Sequence, residues 1–205
     1  MEAFRTLAGP AEAEIRDRGS RFRAHAVPVT GRDAAEAFFA EQQRLHRDAT
    51  HVVPVFRLHD GTAWSSDAGE PAGSAGAPLL QTLTGSGLAD VAAVVVRWYG
   101  GTNLGIGGLV RAYSGALALA LADAPVRTAT PAVRLVVRYE HDQTSAVLRT
   151  IAAFAGRDLE QTYDDAATCT FTLPAAAAER FREALRDATH GALGATDGGT
   201  TVIYT

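Results

Sequence analysis

The chain has 205 residues, of which 47% are hydrophobic, so it is long enough to bury a core as one large or two small domains. All 19 basic residues are arginine, which excludes Schiff-base chemistry and a P-loop lysine, and the single cysteine, Cys169, excludes an internal disulfide. The formal net charge of −4 gives the whole molecule no general attraction for nucleic acid, so such binding would require a local basic patch.

The N-terminal stretch gives no sign of export. Residues 1–19, MEAFRTLAGPAEAEIRDRG, carry acids and arginines where a signal peptide would have an apolar region. No stretch approaches the roughly 20 consecutive apolar residues of a membrane helix. We therefore expect a cytoplasmic protein with no membrane partner.

Apolar periodicity predicts the elements of the first part of the chain. They are a strand over 19–29, a helix over 33–47, strands over 51–58 and 61–65, a short helix over 78–83, a strand over 91–98 and a helix over 109–123. Thr30 is a candidate N-cap, Asp60-Gly61 is a hairpin turn, and Pro54 favours an edge strand. The apolar run from Val91 to Trp98 predicts a strand buried on both faces.

The last part of the chain has a compact order of elements. Residues 126–130, between two prolines, are predicted to be a linker that separates domains at 1–125 and 131–205. Beyond it we predict strands over 132–139, 158–163, 168–173 and 200–205, and helices over 144–154 and 175–188. Asp142 is the expected cap of the first helix, and Asp164 and Asp165 form a turn. The order βαββαβ is that of a ferredoxin-like domain.

Two glycine-rich loops flank the strand at 91–98. One is SDAGEPAGSAG at 66–76 and the other is GGTNLGIGG at 100–108. Because glycine costs backbone entropy in ordered structure, loops with this many glycines need unusual dihedral angles or a close backbone approach. We expect the two loops to be the facing walls of one surface.

The first loop carries candidate acid–base residues. Asp67 and Glu70 lie three positions apart, and His51 lies on a preceding strand. Two carboxylates and an imidazole can act as acid and base or bind a divalent cation. The alternative is structural, since a loop carboxylate commonly caps a backbone amide or remains solvated.

The second loop leads into a helix N-terminus, whose free amides favour an anion. Its sequence is neither a Walker loop nor a dinucleotide fingerprint. Arg97 and Arg111 flank it, and arginine binds phosphate or carboxylate with two donors. The alternative is that these arginines form ion pairs with Asp67 or Glu70.

The quoted loops, together with VVVRWY and LVRAY around the second one, resemble the paired signature of the YigZ/IMPACT family. SRF at 20–22 and DATH at 48–51 also match that family, and the βαββαβ segment is similar to the extra C-terminal domain of its bacterial members. Within the signature, Ala68 replaces the family's usual second aspartate, Val53 its usual cysteine, and Asn103 occupies a position that is often basic.

The resemblance implies an α+β protein. Its N-terminal domain would have the ribosomal-protein-S5 domain 2-like fold, and its C-terminal domain a ferredoxin-like fold similar to domains of elongation factor G. Eukaryotic relatives regulate translation by competing for the activator of the amino-acid-starvation kinase. The substitutions Ala68 and Val53 argue against a mechanism that needs a carboxylate pair or a thiol.

We therefore expect a regulatory binding protein without catalysis, cofactor or metal, whose partner is RNA, the ribosome or a translation-associated protein. The residues expected to contact that partner are Arg97, Tyr99, Gly100, Gly101, Gly105, Gly107, Gly108 and Arg111. Asp67 and Glu70 would fix the loops. The alternative is a metal-dependent hydrolase or phosphotransferase that uses Asp67, Glu70 and His51. The sequence leaves the oligomeric state open.

Overall fold

The structure is a computed structural model that describes residues 3–164 and 166–205. The predicted turn residue Asp165 and the first two residues of the predicted N-terminal domain therefore lie outside the described residues. The described chain is a mixed α/β protein with two sheets and five α-helices. It divides into two compact units, of which the first is Phe4–Thr128 and the second is Ala129–Thr205 together with Ala3.

The first unit is built on a five-stranded antiparallel sheet. Its elements are β1 (Phe4–Leu7), β2 (Ala11–Asp17), β3 (Ser20–Pro28), α1 (Arg32–Leu45), β4 (His51–Arg57), β5 (Ala63–Ser65), α2 (Gly76–Gly85), β6 (Val91–Trp98) and α3 (Gly105–Ala122). The strand order in the sheet is β2-β3-β6-β4-β5. Helices α2 and α3 cover one face and α1 covers the other.

The central strand β6 explains this three-layer arrangement. Successive side chains of a strand point to opposite faces. Val91, Ala93 and Val95 join the core under α2 and α3. Ala92, Val94 and Val96 join the core under α1. The prediction of a strand buried on both faces is confirmed.

Several local predictions for this unit were wrong. Thr30 does not cap α1, whose N-cap is Gly31 without a side-chain hydrogen bond. Pro54 does not mark an outer strand, because β5 pairs with β4, but that pairing covers only Val55–Arg57. Helix α3 starts at Gly105 instead of 109, so half of the second glycine loop is its first turn. Strand β2 had not been predicted, because its inward residues Ala11 and Ala13 are too small to give a strong apolar alternation.

The second unit shows the predicted βαββαβ order. Its elements are β7 (Val126–Tyr139), α4 (Thr144–Ala153), β8 (Arg157–Tyr163), β9 (Ala167–Pro174), α5 (Ala178–Ala188) and β10 (Thr196–Tyr204). These strands lie in the order β10-β7-β9-β8, each antiparallel to its neighbours. Residues 126–130, expected to be a linker, form the start of β7. Asp142 does not cap α4, whose N-cap is Gln143 without a side-chain hydrogen bond. The 3-10 helix His141–Gln143 precedes α4, and Glu140 caps it in a capping box with Gln143.

One face of this sheet forms the core of the second unit. Leu135 and Val137 of β7 and Phe171 of β9 pack against both α4 and α5. The helices contribute Val147, Ile151, Phe181 and Leu185, all essentially buried. The opposite face of the sheet therefore carries the intervening residues of each strand.

Helix α3 is long and apolar enough, by length and composition, to cross a membrane. Its apolar stripe packs in the core under the sheet of the first unit. The stripe is Leu109, Tyr113, Ala116, Leu117 and Ala120, all buried. Core helices of globular proteins have this one-sided burial. The helix therefore stabilises the first unit through one face.

We expect Leu117→Ala to lower the free energy of unfolding of the first unit by about 2–5 kcal/mol, because it leaves a cavity at a fully buried position. The matched variant is Leu119→Ala on the outer side of α3, where the leucine is 48% exposed. This variant should change the free energy of unfolding by less than about 0.5 kcal/mol. Urea unfolding of both variants measures the difference. Equal midpoints would show that α3 does not pack as described.

Candidate functional site

Asp67 fixes the first glycine loop from within. Its Oδ1 accepts hydrogen bonds from the backbone N–H groups of Ala75 (3.0 Å) and Gly76 (2.8 Å), and its Oδ2 accepts one from Gly73 (2.8 Å). Burial alone would raise the pKa of this carboxyl, but the three donors hold its pKa below the usual value. Both oxygens thus accept backbone hydrogen bonds from the loop and from the start of α2, as the structural alternative predicted.

Glu70 ties the same loop to β6 and α3. Its Oε1 accepts hydrogen bonds from Arg97 Nη1 at 2.6 Å and from Tyr113 Oη at 2.7 Å. All three residues are buried, with Glu70 8% and Arg97 6% exposed. Because the charges compensate each other inside the protein, neither is available to an external partner without unpairing the other.

The surroundings of this ion pair are aromatic. The Arg97 guanidinium lies 5.4 Å from the centre of the Phe22 ring, and Phe22 packs edge-on against Tyr113. Burial, and then the hydrogen bond to Glu70, raise the pKa of the Tyr113 hydroxyl, so it stays protonated as a donor. Arg97 Nε is buried and has no hydrogen-bond partner among the described residues.

His51 lies beside this ion pair. Its Nδ1 is 2.9 Å from the carbonyl oxygen of Ala68, and its Nε2 is 3.9 Å from Glu70 Oε1. The structure therefore brings His51 and Glu70 together, as the catalytic alternative required, but turns Asp67 toward its own loop. Among residues 3–164 and 166–205, no three His, Cys, Asp or Glu side chains are grouped so that they could hold a metal ion.

Gly100 packs against the turn between β2 and β3. A Cβ at this position would overlap the carbonyl carbon of Gly19, and the Gly100 N–H donates to Ser20 Oγ at 3.1 Å. The absence of a side chain at Gly100 thus allows a close approach of Gly19 within the protein, and not of a partner. Gly108 is similar, since it is buried and a Cβ there would lie 2.9 Å from Leu104 Cβ. Both were expected to face a partner.

The rest of the second loop is open. Gly101 and Gly105 have φ of +87° and +69°, which favour glycine, and a Cβ on either would meet open space. The side chains of Tyr99 and Ile106 are 46% and 62% exposed. Arg111 is exposed and makes no hydrogen bond or ion pair with any residue that the structure describes. We call the exposed residues from Tyr99 to Arg111 the 99–111 surface.

The two arginines that flank the second loop thus have different environments. Arg97 follows the inward register of Val91, Ala93 and Val95 on β6, which is why it is buried. Arg111 lies on the outer side of α3, next to Gly107. Sequence reasoning missed Tyr113 as a donor to Glu70 and Gly19 as the residue that Gly100 packs against; the alternation along β6 was the signal that could have placed Arg97 in the core.

Two domain families match the sequence. The Impact N-terminal domain matches residues 18–121, and the domain of unknown function DUF1949 matches residues 137–192. The "IMPACT family member YigZ" of Escherichia coli K12 is 34% identical over 197 residues, which covers 94% of this chain and 97% of that protein. The chain belongs to the IMPACT family.

Further relatives of this IMPACT-family chain match about half of its length. An "IMPACT family member" of Haemophilus influenzae is 44% identical over 117 residues, which is 54% of each chain. The "Protein IMPACT homolog" of Saccharomyces cerevisiae is 38% identical over 98 residues, 44% of this chain and 37% of that protein. A crystal structure of a hypothetical protein aligns with a TM-score of 0.73 at 33% identity, over 95% of this chain and 97% of that one.

The three departures from the family signature have structural correlates in this IMPACT-family chain. Ala68 has φ of +49°, a conformation that aspartate adopts more readily than alanine. Val53 is fully buried in the core under α2 and α3. Asn103 accepts a hydrogen bond from Tyr99 Oη at 3.3 Å. With alanine at position 68, the carboxylates of this turn are those of Asp67 and Glu70.

We expect Gly100→Ala to destabilise the first unit by at least about 2 kcal/mol, because the added Cβ overlaps Gly19. Gly107→Ala, in the first turn of α3, should instead leave stability unchanged or raise it by up to about 1 kcal/mol. Thermal unfolding of the two variants is the measurement. If both alanines have the same effect, the backbone packing at Gly100 is wrong.

Removing the charge of Glu70 should be costly. We expect Glu70→Gln to lower the free energy of unfolding by about 3–5 kcal/mol, because Arg97 then stays buried without a counter-charge. The double variant Glu70→Met/Arg97→Met should lose less than the sum of its single variants. Glu36→Gln removes only the exposed ion pair with Arg32 and is the control that should unfold like wild type. A strictly additive double variant would contradict the pairing.

Proposed function

We propose that this chain is a non-catalytic binding protein with a regulatory role linked to translation. Its partner would be RNA, the ribosome or a translation-associated protein, bound at the 99–111 surface. The observation that carries the proposal is the environment of Arg111, an exposed guanidinium that makes no hydrogen bond or ion pair with a described residue, at the edge of a loop with few side chains. Membership of a family that includes "Protein IMPACT" of rat and its yeast homolog supports the link to translation.

The geometry supports binding over catalysis because Asp67 and Glu70 already accept hydrogen bonds from groups within the protein. Asp67 accepts three backbone hydrogen bonds, and Glu70 accepts one each from Arg97 and Tyr113. These contacts hold the loops in place before a partner arrives. A surface that is ordered in advance loses less conformational entropy on binding.

The 99–111 surface combines three chemical features. Arg111 supplies a charged donor, and Tyr99 and Ile106 supply exposed aromatic and aliphatic area. At Gly101 and Gly105 a partner can reach the backbone directly, since no side chain intervenes. A partner that places an anionic group on Arg111 and an apolar group beside it fits this combination. The apolar group could be a stacked base or a protein side chain.

The proposal extends to the folds and the compartment. We propose the ribosomal-protein-S5 domain 2-like fold for the first unit and a ferredoxin-like fold for the second, the latter supported by its βαββαβ order and its β10-β7-β9-β8 sheet. The boundary between them falls near residue 128. A cytoplasmic location agrees with the proposed partners.

The alternative enzyme has weaker support. A hydrolase or phosphotransferase using Asp67, Glu70 and His51 would need carboxylate oxygens directed at a metal or substrate. The two carboxylates instead serve as a loop cap and as the counter-charge of Arg97, and His51 Nδ1 faces the Ala68 carbonyl. No observation in the described residues favours this reading over binding.

We expect Arg111→Ala to weaken binding to purified ribosomes or their RNA. Loss of one phosphate contact reduces the slope of the logarithm of the binding constant against the logarithm of the salt concentration by about 0.7 to 0.9. It lowers the affinity at low salt by about 10-fold. Co-sedimentation with ribosomes over a salt series measures both quantities. Arg44→Ala, an exposed arginine on α1, is the charge-matched control that should bind like wild type.

Nuclease treatment distinguishes the possible partners. Binding that is lost after nuclease indicates RNA, and nuclease-resistant binding that still depends on Arg111 indicates a protein. Unchanged binding of Arg111→Ala at low salt would contradict the proposed site.

A further inference from the structure

One face of the sheet of the second unit carries an ordered set of polar residues, which are exposed or half-buried except for Thr172, at 3% exposure. Directly opposite residues of neighbouring strands project from the same face. The register places Arg134 of β7 and Arg157 of β8 on either side of Thr172 of β9. The next two rows are Val136, Thr170 and Glu160, then Arg138, Thr168 and Thr162. We call these nine positions the Arg–Thr face.

The face is opposite the core of the second unit. Its residues alternate along β7 and β9 with Leu135, Val137, Cys169 and Phe171, which pack under α4 and α5. Arg134, Arg138 and Arg157 are exposed. Because α4 and α5 both cover the opposite side of the sheet, these three arginines face solvent.

The charge on the face is unbalanced. Its nine positions hold three arginines and a single acid, Glu160, in a protein whose overall net charge is −4. None of the three arginines makes a hydrogen bond or ion pair with a residue in the described ranges 3–164 and 166–205. Arg182 of α5, by contrast, pairs with Asp197 at 2.6 Å. The three free guanidinium groups are thus a local basic patch on an acidic chain.

We propose that the Arg–Thr face binds the sugar-phosphate backbone of single-stranded RNA without sequence preference. The arginines would pair with phosphates, while the hydroxyls of Thr162, Thr168 and Thr170 can donate to phosphate or exchange hydrogen bonds with ribose 2′-hydroxyls. The nine positions include no aromatic residue, so base stacking does not contribute and sequence is not read there.

The spacing of the arginines suits an extended chain. Neighbouring strands lie about 4.8 Å apart, so the Cα atoms of Arg134 and Arg157 are roughly 10 Å apart across β9. Arg138 lies four residues along β7, about 13 Å from Arg134. Three flexible donors over this span can follow successive phosphates of a single strand.

Other polyanions fit less well. Membrane-surface binding combines basic residues with apolar side chains that enter the lipid, and Val136 is the one apolar residue of the nine positions. A protein partner would be expected to use aromatic anchors in a pocket, which this face lacks. The predominance of arginine and threonine therefore favours a nucleic-acid backbone.

The test uses the full chain and a fluorescein-labelled oligouridine of about 20 nucleotides, longer than the sites of common single-strand-binding folds. Fluorescence anisotropy over a salt series gives affinity and salt slope. We expect the triple variant Arg134→Gln/Arg138→Gln/Arg157→Gln to bind about 100-fold more weakly at low salt, with a slope lower by about 2, because each lost contact removes roughly 0.7. Glu160→Gln should bind several-fold more tightly.

Two controls separate this face from general charge and from the 99–111 surface. Arg149→Gln/Arg180→Gln/Arg186→Gln makes the same charge change on exposed positions of α4 and α5 and should bind like wild type. Arg111→Gln should retain most of its affinity for the oligouridine even if it loses ribosomes. Unchanged ribosome binding by the Arg111 variants would therefore count against the proposed function and leave this inference standing.

Several results would overturn the inference. One is an absence of oligouridine binding by the wild-type chain at low salt. Equal losses for the face variant and the helix control would be another, since they would indicate only general electrostatics. Displacement of the RNA by poly-glutamate at matched charge would indicate an acidic protein partner, and stronger Arg134-dependent binding to phosphatidylcholine–phosphatidylserine vesicles would indicate a membrane.

Discussion

The buried ion pair between Glu70 and Arg97 is the interaction on which the arrangement of the glycine-rich loops in the first unit depends. It joins the first glycine loop to β6, and through Tyr113 it also joins α3. A buried pair is a weak source of net stability, but loss of one partner leaves an uncompensated charge. Its main effect is therefore positional, because the loop can sit in only one place relative to the strand and the helix. The second glycine loop lies between these same two elements.

The glycines of the signature have two separate roles. Gly100 and Gly108 allow parts of the protein to pack on each other, at Gly19 and at Leu104. Gly101 and Gly105 instead lie beside open space with backbone angles that other residues rarely adopt. The same residue type thus builds the support of the loop and leaves its outer side free of side chains.

The sequence predicted elements with strong periodicity well and side-chain environments poorly. Strand β6 was predicted to the residue because its apolar run has no competing interpretation. Strand β2 was missed, since alanine alternating with acids gives little apolar contrast. The alternation along β6 could indicate the core position of Arg97, but it could not identify the counter-charge Glu70, which lies 27 residues away in the chain. The Arg–Thr face required the register between β7, β8 and β9, which no local pattern specifies.

The contact of Gly100 with the turn before β3 also has a consequence for folding kinetics. The hydrogen bond from Gly100 to Ser20 joins residues 80 positions apart, and such contacts form only after a large loop has closed. The second glycine loop therefore reaches its place only when β3 pairs with β6, a pairing that joins Arg21 to Trp98. A nascent or partly unfolded chain lacks this contact, so the 99–111 surface exists only once the first unit has completed its fold.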